Sequence, residues 1–241
     1  VSARLSLLVG FLADAKTLSQ SVLESASWLA PVVKEAVHVC KMNASVGLSA
    51  KPTMAALLVI KALALVETAA RVELHAESLL ESGVLEALEY ACVNDFSCFS
   101  TSVSNYGAGA VVTLVGRNEG GKTLSQSSVN AVLDTFGSCF DPGQWRSAAP
   151  AKRMLPEARR LATMAISDAN KKIMLQHDKL LSGLAAGLIL DDDNPRRGQD
   201  GADALQEMCA GVLHELALYG PGATVLREHK PTMDALRVLA E

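Results

Sequence analysis

Residues 116–123 hold the spacing in this chain that points most directly at a reaction. Gly116, Gly121, Lys122 and Thr123 fit G-x-x-x-x-G-K-[ST]. In such a loop, backbone N–H groups cradle phosphates. Lys122 would reach the β/γ oxygens and Thr123 would hold Mg²⁺. The apolar run at 111–115 could be the strand before the loop, and residues 124–133 the helix after it. Leu188, Ile189 and Leu190 followed by Asp191 and Asp192 could supply the acidic residue that supports the metal.

The surroundings of the motif argue against that chemistry. Residues 122–127, Lys-Thr-Leu-Ser-Gln-Ser, repeat residues 16–21 without change, and the first copy has no glycine loop before it. A duplicated helix start explains these residues without phosphate. P-loop enzymes also need several parallel strands alternating with helices, and one ambiguous run is present. Residues 188–192 end a helical pattern that begins at Lys179.

Other reactive residues are scattered. His38, His75, His177, His214 and His229 have no second ligand at metal spacing, and His214-Glu215 lacks the downstream His of a zinc helix. No metal and no cofactor is expected. Cys40, Cys92, Cys98, Cys139 and Cys209 are odd in number and form no CxxC pair. They read as free thiols in a reducing compartment, the cytoplasm. No GxSxG occurs, and no catalytic residue is assigned. Arg159, Arg160, Lys171 and Lys172 fall near the edges of helices, where they are either solvated charge or contacts for an acidic protein partner. Arg196 and Arg197 follow three aspartates in a polar loop, and the opposite charges balance locally.

Composition sets the elements that must position these groups. Of 241 residues, 49% are hydrophobic and 4% aromatic, a mixture that suits close packing of helix on helix. The net charge of −4 leaves no basic footprint for nucleic acid. The run from Met54 to Val66 is broken by Lys61 and is too short to span a membrane. Nothing at the start reads as a signal peptide. The chain opens at Val1 without a Met, so a segment of a longer protein is expected. Periodicity predicts helices from Pro31 to Cys40 and over 52–66, 67–80, 84–93, 154–166, 169–177, 179–190, 202–219, 224–229 and 232–240. Ser82-Gly83 and Gly220-Pro221-Gly222 read as stops, and 191–201 as a polar loop.

A second echo supports an array. Lys51-Pro52-Thr53-Met54 returns as Lys230-Pro231-Thr232-Met233, and the apolar pattern after it also returns. Leu184 and Leu236 fill equivalent places 52 positions apart. The series Arg159-Arg160-Leu161-Ala162, Asn170-Lys171-Lys172-Ile173 and Leu180 to Leu184 resembles an armadillo repeat. The likeness is strongest at 150–241 and present at 52–93. It implies an all-α, right-handed armadillo-like solenoid over residues 1–241. It also implies a non-catalytic scaffold that binds other proteins. Two alternatives are a nucleotide-binding protein using 116–123 and a regulatory armadillo module. The latter would bind a small ligand and control a fused effector such as a TIR domain. Oligomeric state is left open. In the array, Leu161, Leu184, Leu205, Leu213 and Leu236 are expected in the core.

If 116–123 is only a loop before a helix, no Mg²⁺-dependent binding of ATP or GTP is expected in a titration. Lys122→Ala should then change nothing. Saturable binding lost in Lys122→Ala would restore the phosphate reading, because the mutation removes the main cationic partner of the phosphates.

Overall fold

Regular structure is α-helical throughout the described residues, with no strand among them. The computed structural model describes residues 83–93, 100–115, 124–140 and 150–240, with single positions at 31, 33–35, 38, 66, 77 and 79–81. The chain divides into two compact units, 1–114 and 115–241.

In the first unit, α1 (Val84–Val93) follows the break expected at Ser82-Gly83 and buries Val84, Leu85 and Leu88. Helix α2 (Ser100–Val115) takes in the run read above as a possible strand. Residues 107–112 are buried without interruption, so this stretch is apolar all round. Burial on every side overrides the β preference of Val111, Val112 and Val115. The Thr113 hydroxyl donates to the Gly109 carbonyl one turn back, at 2.8 Å.

The second unit begins its described helices with α3 (Gln126–Ser138). Ser125 caps it, accepting from the Ser128 N–H at 3.2 Å. Helix α4 (Ala151–Met164) starts three residues earlier than periodicity suggests. The Gln199 side chain accepts from the Ala151 N–H at 3.1 Å, which satisfies one amide of the extra turn. Pro156 therefore lies in the second turn, where it withholds one helical hydrogen bond. Next come α5 (Asp168–Met174), α6 (Leu180–Gly187), α7 (Ala202–Leu218), α8 (Gly220–Glu228) and α9 (Lys230–Ala240).

Helix α7 ends at Leu218, just before Gly220-Pro221-Gly222 as expected, but the tripeptide is not itself a break. It forms the first turn of α8, because Pro needs no amide partner there. The break is the single extended residue Tyr219. Another single residue, His229, separates α8 from α9. Its Nδ1 lies 2.7 Å from the Thr232 hydroxyl, and buried Thr232 Oγ1 donates to the Leu181 carbonyl at 3.3 Å.

Besides contacts between successive helices, packing in this unit joins helices three apart. Helix α4 lies on α7, α5 on α8, and α6 on both α3 and α9. Their starts are 51, 52 and 50 residues apart, at 151 and 202, 168 and 220, and 180 and 230. Leu161, Leu184, Leu205 and Leu213 are buried as expected. Leu236 is only half-buried, a correction to the expected core. Helix α9 packs on α6 and α8, and its Val238 and Leu239 face solvent. Close approach inside the stack needs small residues. A Cβ on Gly187 would collide with Cys209 Sγ of α7.

The loop from Leu188 to Gly201 carries the largest fully buried side chain, Arg196, at 0% exposure. Its Nη2 donates to the Cys139 carbonyl at 2.5 Å, and its guanidinium carbon sits 5.0 Å from the centre of the Phe140 ring. Phe140 in turn meets Phe136 edge-on, with centroids 5.0 Å apart. Arg197 shows the local charge balance expected of the arginine pair, with its Nε 3.4 Å from Asp192. Gly201 turns the chain into α7 at φ 84, and a Cβ there would press on the backbone of Lys152 at 3.1 Å.

Two substitutions test this packing. Leu213→Ala should cost about 2–5 kcal/mol, as large-to-small core changes do. Arg196→Ala should cost about 3 kcal/mol or more, from a lost charged hydrogen bond and a cavity. Arg197→Ala should stay within about 0.5 kcal/mol, as for exposed positions. Urea unfolding monitored in the C-terminal unit reads all three. Equal effects at Arg196 and Arg197 would refute the anchor.

Candidate functional site

The expected cation cluster divides in two. Arg159 and Lys172 are exposed. Arg160 is 6% exposed and holds Glu157 at 2.5 Å, one turn back on α4. Lys171 is 4% exposed, with its ammonium 2.9 Å from Asp168 and 3.6 Å from Glu215. It therefore ties α5 to α7. Residues next to an apolar stripe bury their aliphatic stems, which explains why alternate members of each pair turn inward. The four residues do not form one surface.

Lys122 and the other motif positions, Gly116, Gly121 and Thr123, lie outside the described residues. Their flanks lack the required context. Residues 111–115 are helix, and the helix on the far side begins at Gln126 after non-helical Leu124 and Ser125. Leu124 is buried and its N–H donates to Asn170 Oδ1 at 3.4 Å. Asp191 and Asp192 stand exposed in the loop after α6.

The described thiols offer no nucleophile. Burial pushes the Cys209 thiol up to about 12. Burial and then the Glu157 charge raise Cys139, against the opposing pull of Arg196. Both thiols therefore stay protonated at neutral pH, and only a thiolate is reactive. Desolvation lowers the Arg196 guanidinium from its usual range. No group of three His, Cys, Asp or Glu that could hold a metal occurs among the described residues. His177 sits 3.2 Å from Asp134 and 3.7 Å from Asp178, on the surface of the α3–α5 contact. No helix among the described residues is long and apolar enough to cross a membrane.

What the unit does offer is a groove of about 360 Å³ between α6, the following loop and α9. Ala185 and Ala186, from the last turn of α6, make one side with Ile189 and Leu190. Pro231, Asp234, Ala235 and Val238 make the other. These four recur at i, i+3, i+4 and i+7, so they share one face of α9. Pro231 can sit there because the first turn of a helix needs no amide from it.

The loop wall is held firmly. Ile189 adopts φ 57, a left-handed conformation that is costly for a β-branched residue. Asn194 lines the groove, is 4% exposed, and donates to the Ala186 carbonyl at 3.4 Å. Its own Oδ1 accepts from the Arg196 N–H at 3.0 Å. The Arg196 backbone thus braces Asn194, while its side chain is held at the Cys139 carbonyl.

Two exposed carboxylates, Asp191 and Asp234, line the groove, and the Arg197 guanidinium donates to the carbonyl of lining Leu190 at 2.6 Å. Asp234 keeps one partner on its own helix, Arg237 at 2.9 Å, with both side chains largely in water. An exposed pair of that kind contributes little and can be exchanged for another partner. The arrangement suits binding: an apolar floor of small side chains beneath surface carboxylates. Sequence reading missed it, because the floor residues come from two stretches more than forty positions apart. The signal was the apolar face of 232–240, which no neighbouring segment was assigned to cover. The chain matches no protein-family model, no curated protein and no solved structure.

Proposed function

We propose that this chain is a non-catalytic scaffold: a right-handed, armadillo-like solenoid that binds other proteins in the cytoplasm. One observation carries the reading. Beyond contacts between successive helices, the C-terminal unit joins three pairs of helices three apart whose starts lie 50 to 52 residues apart, as a stacked three-helix repeat would. Stacked repeats bury faces that a single repeat leaves open, and they expose a long surface for partners. The resemblance of residues 158–190 and 204–239 to armadillo units supports the family and the role. The exposed cations Arg159 and Lys172 are available to a partner's acidic groups.

Cross-linking mass spectrometry on cells expressing the chain tests the reading. Exposed Lys172, Lys179 and Lys230 offer reactive amines. A recurrent set of partner peptides joined to these lysines is the expected result. Recovery of intramolecular links alone would overturn the scaffold.

A further inference from the structure

We infer that the groove between α6 and α9 receives an amphipathic helical segment of a partner protein, with an apolar face flanked by Lys or Arg. This rests on the scaffold reading and names the partner chemistry. The floor offers Ala186, Ile189, Ala235 and Val238, which supply contact area and no hydrogen-bonding side chain. An occupant must therefore satisfy its own backbone, and a helix does so within itself. A strand would need a sheet edge, and no strand occurs among the described residues.

Charge selects among helices. Asp191 and Asp234 line the groove, and both are exposed. Basic residues flanking the apolar face would meet these carboxylates, while acidic ones would be repelled. The same rim disfavours a second copy of this chain. A two-fold interface sets the same patch on itself, so carboxylates would face carboxylates. It disfavours anionic membrane surfaces for the same reason. The wall is preformed through Asn194 and Arg196, so little order has to be gained on binding.

The test uses the full chain and fluorescence anisotropy. The probe is a labelled peptide about 15 residues long, roughly four turns, with Leu at i, i+3, i+4 and i+7 and Lys beside them. A scrambled version with the same composition lacks the apolar face, and a third version replaces Lys by Glu. The Lys peptide should bind saturably, and the other two about tenfold more weakly or worse. The double variant Asp191→Lys/Asp234→Lys should invert the preference between the Lys and Glu peptides. Val238→Lys, at a position 57% exposed, should weaken the Lys peptide without altering the circular dichroism spectrum. Equal binding of the scrambled peptide would overturn the inference. So would unchanged binding by both variants, or competition by free arginine at peptide-like concentrations, which would place recognition in the carboxylates alone. Cellular cross-links that persist in the double variant would sink the groove and leave the scaffold. Peptide binding with no cellular partner would do the reverse.

Discussion

A single buried cation holds the C-terminal unit in register. Arg196 places its guanidinium between the Cys139 carbonyl and the Phe140 ring, fully out of water. A charge in such a place is costly unless hydrogen bonds and an aromatic face replace its hydration. Here the acceptor comes from the end of α3, while the cation comes from the loop between α6 and α7. The contact therefore joins segments 57 positions apart. Around it, Asn194 braces the end of α6 and Gln199 receives the first amide of α4. Gly201 starts α7 against Lys152. Without the anchor, an eleven-residue polar stretch would have little reason to adopt one shape.

The helices above and below this anchor are spaced by residue size. Gly183 faces Phe136 and Phe140, and Gly187 faces Cys209. Phe136 on α3 and Phe140 just beyond its end fill the room that these small residues leave on α6. The same two aromatics present the ring on which Arg196 rests. Apolar packing between helices and polar closure of the loop are thus one structure. A larger residue at 187 would push α7 away, and the loop leading into α7 would move with it.

Much of this was legible in local pattern. The helices at 84–93, 168–174 and 202–218 fall within a few residues of their expected bounds, because Gly, Pro and apolar period mark their ends. The interval near 50 residues was visible as well. What failed was whatever depended on distant neighbours. Residues 111–115 look like a strand until their burial on all sides is known. Arg196 and Arg197 are adjacent and chemically identical, and it is distant neighbours, the Cys139 carbonyl and the Phe140 ring, that draw Arg196 inward. Arg160 and Lys171 carry partners on neighbouring turns, yet their depth is set by helices elsewhere in the unit. The groove escaped notice for the same reason: its two walls meet only when α9 packs on α6.

The repeated hexapeptide and the repeated Lys-Pro-Thr-Met acquire a physical meaning from their second copies. In one, Ser125 caps α3 through its hydroxyl. In the other, Lys230 and Pro231 open α9, and Thr232 meets both the His229 ring and the Leu181 carbonyl. Both echoes thus mark places where a helix begins against a neighbour. Hydroxyl residues are favoured there because they replace the backbone partners that a first turn lacks, and Pro because it needs none. At the two described copies, the start of a helix accounts for these residues. The glycines before Lys122 gave the hexapeptide the outline of a phosphate loop, while its second half performs the work of a cap. The corresponding Pro231, fixed at the mouth of the groove by the same start-of-helix rule, lets one structural signal also shape a surface for binding.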